Sequence, residues 1–221
     1  MVDVNAQIDA VTRDARATEV DGAPARAQSL SQTYPSPIED VWDAVTSPDR
    51  IARWFLPVSG ELRIGGRYQF EGNAGGEVLE CSPPAGGAAG YRATWEFGGG
   101  MSWVQIALRA IDAETTDLEL THIARVADLP PGFWETYGPG ATGVGWDMGL
   151  LGLALHLRED TQLPPEAAEA WMLGEEGQLF ARRAADGWAD AQISRGAEPE
   201  TARRAADATF AFYTGRPAEE G

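Results

Sequence analysis

"GYRATWEFGGGMSWVQIALRAIDAETTDLELTHIARV", residues 90–126, decides the fold. Tyr91, Ala93, Trp95 and Phe97 alternate with other residues, as do Val104, Ile106 and Leu108, and then Leu118, Leu120 and His122. A period of two puts successive side chains on opposite faces of a strand, so each run predicts a strand with one covered face. The glycines of "GGG" punctuate the runs, and strands separated by short turns pair antiparallel.

Upstream, "GELRI", "GRYQFEG" and "GGEVLECS" extend the meander, with Tyr68 and Phe70 in the same alternation and Gly65-Gly66, Gly75-Gly76 and "PPAGGAAG" as turns. Such a sheet needs a cover. "GVGWDMGLLGLALHLRED", residues 143–160, provides one: Trp146, Leu150, Leu153 and Leu157 fall on one helical stripe, widened by Leu151, Ala154 and Leu155.

Ahead of the meander, Arg26 to Tyr34 predicts a strand stopped by Pro35 and Pro37. "SPIEDVWDAVTSPDRIARWFLP", residues 36–57, then carries two helix starts. Ser36 caps the first, with Pro37 at its opening position and Glu39-Asp40 in the turn where the helix dipole favours acids; Ser47 and Pro48 repeat the signal. Val41, Trp42 and Val45 form one apolar face, and Ile51, Trp54 and Phe55 another before Pro57. Residues 1–25 read as an arm, in which Val4, Ile8 and Val11 suit a helix and Asp21-Gly22 suits a hairpin turn. Beyond residue 160 the sequence predicts two or three further helices, with Phe180, Ala184 and Trp188 at i, i+4 and i+8. The expected organisation is an arm over 1–25, a main domain over 26–160, and a helical extension over 161–221 packed on that same domain.

Composition narrows the chemistry. The 221 residues carry a formal net charge of −17, which opposes binding to a phosphate backbone, so no nucleic-acid partner is expected. All 17 basic residues are arginine, which removes the phosphate-binding lysine of nucleotide loops and every lysine Schiff base. A single cysteine, Cys81, permits no internal disulfide and suits a reducing compartment. The longest apolar run, Met148 to Leu157, is half a bilayer crossing, and the opening residues lack a secretory pattern, so a cytoplasmic protein without membrane insertion is expected.

The order of these features resembles one family. A strand, two short helices with "W..AVT.P..I..WF", a meander opening "G.L..GG.Y.F.G", then "G.VLE..PP", "TWEF", "L.LTH" and a closing "GW" helix are similar to the SRPBCC superfamily, in the branch of activators of the heat-shock protein 90 ATPase. The likeness runs from about Gln28 to Leu157. It implies an α+β helix-grip fold: a curved antiparallel sheet wrapped around a long carboxy-terminal helix, two short helices after the first strand, and here an extra helical extension. It also implies a cavity between sheet and helix, since members of the superfamily bind lipids, sterols, polyketides or hormones and some are cyclases or dehydratases.

Under that fold Trp54, Phe55, Tyr68, Phe70, Trp95 and Trp146 converge on one side of the sheet, with His122 and Leu150 beside them, and these eight are the expected cavity lining. The expected function is binding of a hydrophobic small molecule, lipid-, polyketide- or aromatic-like, with no catalytic residue, cofactor or metal assigned. The two histidines, His122 and His156, and one cysteine make no ligand cluster of recognisable spacing. Two alternatives stay open: an enzyme of cyclase, dehydratase or hydrolase type using His122 with a cavity carboxylate or Tyr68, and a protein-interaction module, either a co-chaperone or a homodimer built through the extension. Asp147 either looks across the cavity mouth or solvates the helix start. "GPGATG", residues 138–143, matches G-x-G-x-x-G but lacks the preceding buried strand and following acid of a dinucleotide site, so it reads as a flexible loop leading into the long helix.

Overall fold

The computed structural model describes residues 2–159 and 170–215. Helix α1 (Val4–Asp9) is followed by strands β1 (Thr12–Val20) and β2 (Ala23–Tyr34), helices α2 (Ile38–Thr46) and α3 (Pro48–Trp54), and strands β3 (Val58–Gly60), β4 (Arg67–Phe70), β5 (Gly75–Ala85), β6 (Ala88–Phe97), β7 (Gly100–Ala110) and β8 (Thr116–Arg125). Helices α4 (Phe133–Tyr137), α5 (Gly140–Glu159), α6 (Glu175–Ser194) and α7 (Pro199–Thr214) follow among the described residues. Part of the helical reading beyond residue 160 falls on 160–169, outside the described residues.

The strands form one antiparallel sheet of eight in the order β1-β2-β8-β7-β6-β5-β4-β3. The meander from β3 to β8 is sequential, and β2 returns to pair with β8, in register from Ala25↔Arg125 to Tyr34↔Thr116. Register shifts in β5 between Val78 and Glu80 and between Ser82 and Ala85 interrupt the ladder with β6. Such bulges bend a strand and increase its local twist. The alternation read from the sequence sets the covered face: Ala93, Val104, Ile106, Leu108, Leu118, Leu120 and His122 are all buried. Phe97 keeps the phase but is 62 % exposed, because it flanks the Gly98-Gly99 turn beyond the cover.

Both readings of the arm apply in succession. Val4 and Ile8 bury one face of α1, and Asp21-Gly22, both with positive φ, turns the β1–β2 hairpin that adds β1 to the sheet edge. The arm is thus part of the sheet rather than an appendage to it. In the helix pair, Pro37 rather than Ser36 occupies the N-cap of α2, while Ser36 Oγ donates to the Asp40 carboxylate. Ser47 caps α3 through its backbone position, with Pro48 opening the helix.

Helix α5 is covered on both sides. Trp146, Leu150 and Leu153 face the sheet, and the opposite side meets α6, where Asp147 is buried at 1 % exposure. Its carboxylate pairs with Arg13 of β1 at 2.6 Å and accepts the Trp188 indole N–H at 2.9 Å. Further pairs join the chain ends: Arg183 with Asp9 at 2.8 Å and Arg195 with Asp14 at 2.6 Å. Glycines in "GPGATG" serve this packing. A Cβ on Gly143 would lie 2.3 Å from the Trp188 ring, and one on Gly140 would lie 2.5 Å from Thr209 of α7. The segment from Gly140 is therefore the packed first turn of α5, not a flexible loop. Among the described residues, no helix is long and apolar enough to cross a membrane.

Candidate functional site

Between the sheet, α2, α3 and α5 lies a cavity of about 130 Å³. Its floor is the covered face of the meander, with Val104, Ile106, Leu118 and Leu120 from the central strands and Val78 and Ala93 from β5 and β6. Its roof is Trp146, Leu150 and Leu153 of α5. Val45, Thr46, Ile51, Trp54 and Phe55 close one side from the helix pair. An anchoring set holds that pair against α5: Arg50 of α3 donates to His156 Nε2 at 3.0 Å and pairs with Asp40 of α2 at 2.6 Å. Trp54 donates its indole N–H to the Ala44 carbonyl at 2.9 Å, which leaves its ring facing the cavity.

Aromatic rings form a connected wall. Phe55 meets Phe70 edge-on with centroids 5.1 Å apart, Phe70 lies 5.6 Å from Trp95, and Trp95 lies 4.9 Å from Trp146. Tilted and edge-to-face pairs at these separations hold one another in place, each worth about 0.5–1.5 kcal/mol beyond area burial. No charged side chain lines the cavity among the described residues. Tyr68 reaches across the sheet to donate to the Thr94 carbonyl at 2.5 Å, and burial pushes its hydroxyl pKa well up.

Of the eight residues expected at the cavity, Trp54, Phe55, Tyr68, Phe70, Trp95, Trp146 and Leu150 are brought together around it. His122 is not. It lies behind Trp146, with ring centroids 5.6 Å apart, in a separate polar cluster: Nε2 is 2.9 Å from Ser102 Oγ and Nδ1 is 3.3 Å from Gln28 Oε1. Gln28 is fixed in turn by Thr142 Oγ1, which donates to it at 2.6 Å, and by the Pro139 carbonyl, which accepts from it. Burial lowers the His122 pKa to about 4, so the ring is neutral at physiological pH. Both ring nitrogens of His122 thus face neutral partners, Ser102 and Gln28, rather than a carboxylate. Asp147 points away from the cavity, into the Arg13–Trp188 clasp.

Tyr91 and Cys81 also line the cavity, a place the sequence reading did not assign to either. Tyr91 shares the alternation of Ala93 and Trp95, so its phase was legible. Cys81 faces it as its cross-strand partner, a pairing that the β5 bulge hides from any count along the chain. No group of three or more metal-ligating side chains occurs among the described residues.

A family model described as "Activator of Hsp90 ATPase homolog 1-like protein" matches residues 35–155. The chain is similar to CalU16 from Micromonospora echinospora: its crystal structure is 31% identical over 79% of this chain and 98% of that one, with a TM-score of 0.58. The solution structure of CalU16 matches with 29% identity over 84% and 96% of the two chains and a TM-score of 0.66. A conserved protein of unknown function from Enterococcus faecalis, 14% identical over 80% of this chain and 95% of that one, shares the fold with a TM-score of 0.52. No curated protein matches the chain.

Proposed function

We infer a function from the premise that this chain belongs to the activator of Hsp90 ATPase homolog 1-like family: it binds a hydrophobic small molecule in the cavity between sheet and long helix. The observation that carries this reading is the uncharged cavity in the middle of the fold, walled by mutually packed aromatic rings. A fold stabilised only by packing has little use for such a space. Unfilled volume in a core costs stability, because its lining atoms lack contact partners on one side. An apolar hole of roughly 150 Å³ is enough to hold benzene. Burying about 200 Å² of apolar ligand surface at about 25 cal/mol per Å² gives on the order of 5 kcal/mol before association costs, which is compatible with micromolar binding.

The direct test is native mass spectrometry of the protein purified from its own host, where a retained small molecule supports the reading. With that molecule in hand, Trp54→Ala should weaken binding about tenfold, since it removes one wall of the cavity. Unchanged affinity removes Trp54 from the site, and absence of binding by any apolar compound overturns the function itself.

A further inference from the structure

The cavity is apolar but not uniformly so. Most polar side-chain atoms at its edge are already engaged: Tyr68 with the Thr94 carbonyl at 2.5 Å, Thr46 with the Trp42 carbonyl at 2.6 Å, and Trp54 with the Ala44 carbonyl at 2.9 Å. Deeply placed tyrosines elsewhere follow the same rule: Tyr34 donates to the Leu150 carbonyl at 3.2 Å and Tyr213 to the Ala141 carbonyl at 2.6 Å. Tyr91 differs. It lines the cavity on the covered face of β6, its ring held edge-on by Trp42 at 6.4 Å, and its half-buried hydroxyl stays open, engaged by no hydrogen bond among the described residues.

A hydroxyl left open on an otherwise apolar cavity wall is free to donate to, or accept from, whatever fills the space. Phenylalanine would pack at this position as well as tyrosine against Trp42, which leaves the hydroxyl without a structural use. Cys81 stands opposite Tyr91 across β5 and β6 and turns a second polarisable group to the same end of the cavity. We propose that Tyr91 is the polar anchor of this cavity, and that its ligand is a neutral ring compound whose hydroxyl or carbonyl group hydrogen-bonds the Tyr91 hydroxyl. This inference rests on the ligand-binding reading above and gives it a chemical class.

Two observations set the class. Burial, with Tyr68 and Cys81 nearby, pushes the Tyr91 pKa well up, so the group remains a hydroxyl and can donate as well as accept. No cation lines the cavity among the described residues, so a carboxylate or phosphate would enter without a counter-charge, and an ionised group in an apolar site carries a prohibitive desolvation cost. The volume of about 130 Å³ admits a single ring in this arrangement of side chains.

The test compares benzene, phenol and benzoate binding to the full chain and to Tyr91→Phe, by ligand-observed NMR at neutral pH. The wild-type protein should bind benzene and phenol but not benzoate. Tyr91→Phe should weaken phenol about tenfold while leaving benzene unchanged, the ratio expected for one buried hydrogen bond. An equal phenol-to-benzene ratio in both proteins overturns the anchor but leaves the cavity reading standing, whereas failure of both compounds to bind the wild type overturns that reading and the anchor with it. Binding of benzoate overturns the neutral class. A measurement on the wild type alone guards against a variant that does not fold: the carbonyl stretch of bound acetophenone should fall below its value in hexane, and a hexane-like frequency overturns the anchor.

Discussion

Gly152 of α5 sits against the backbone of Trp54 at the end of α3, so close that a Cβ there would lie 2.3 Å from the Trp54 carbonyl oxygen. This approach sets the spacing between the long helix and the wall that carries Trp54 and Phe55. Gly152→Ala should therefore push the helices apart and destabilise the protein by about 1–3 kcal/mol, the usual cost of overpacking. Urea denaturation measures it, and a variant as stable as the wild type would mean that the two helices slide without penalty.

Filling the cavity should have the opposite sign. Ala93 is 2 % exposed and lines the cavity floor, so Ala93→Leu adds apolar volume where space exists. Stability should rise by about 1 kcal/mol while affinity for an apolar ligand is lost. A gain in melting temperature without loss of binding would place the ligand elsewhere.

The Arg13–Asp147 pair is buried, with side-chain exposures of 7 % and 1 %. Arg13→Ala should cost about 3–5 kcal/mol, because it strands the Asp147 carboxylate with only the Trp188 indole as donor. Replacing both partners, Arg13→Met with Asp147→Leu, should cost clearly less than Arg13→Ala alone. Chemical denaturation of both variants tests the ordering.

His122 gives a pH signature. Its folded pKa of about 4 lies below the ordinary 6.5, so the unfolded chain takes up the proton first as pH falls. The stability it confers is complete above pH 6.5 and is lost progressively down to about pH 4, a change of roughly 3 kcal/mol. The contributions of Asp14, Asp40 and Glu96, whose pKa values are lowered, are lost from about pH 4.5 downward. Asp147, raised by burial, takes up its proton first in the folded chain and opposes the His122 slope. Denaturation between pH 7 and 4.5 should show the slope in the wild type and lose it in His122→Gln.

The sheet and its helical cover were legible because alternation in "YRATWEF" and "WVQIAL" leaves one face apolar, and the stripe from Trp146 to Leu153 matches it. The sequential order of the meander strands followed from turns that are too short for crossovers, whereas the return of β2 to β8 did not. Two features escaped for physical reasons. The His122 position depends on Trp146 standing between it and the cavity, a tertiary fact that strand phase does not carry. Asp147 looked like a cavity or helix-start residue because its partners, Arg13 and Trp188, lie 134 and 41 positions away. Tyr91 was the reverse case: its phase was plain, but only the full set of hydrogen bonds shows its hydroxyl without a partner.

The stitching of the two chain ends bears on how the molecule is made. Arg195 meets Asp14 across 181 positions and Arg183 meets Asp9 across 174, so the amino-terminal helix and hairpin cannot gain these partners until α6 has been made. Until then the outer edge of β1 is an open template for other chains, the usual hazard of contacts that are distant in sequence. Docking of α6 therefore comes late for the first hairpin, and amide protons of β1 and α6 should become protected together in a refolding pulse-labelling experiment.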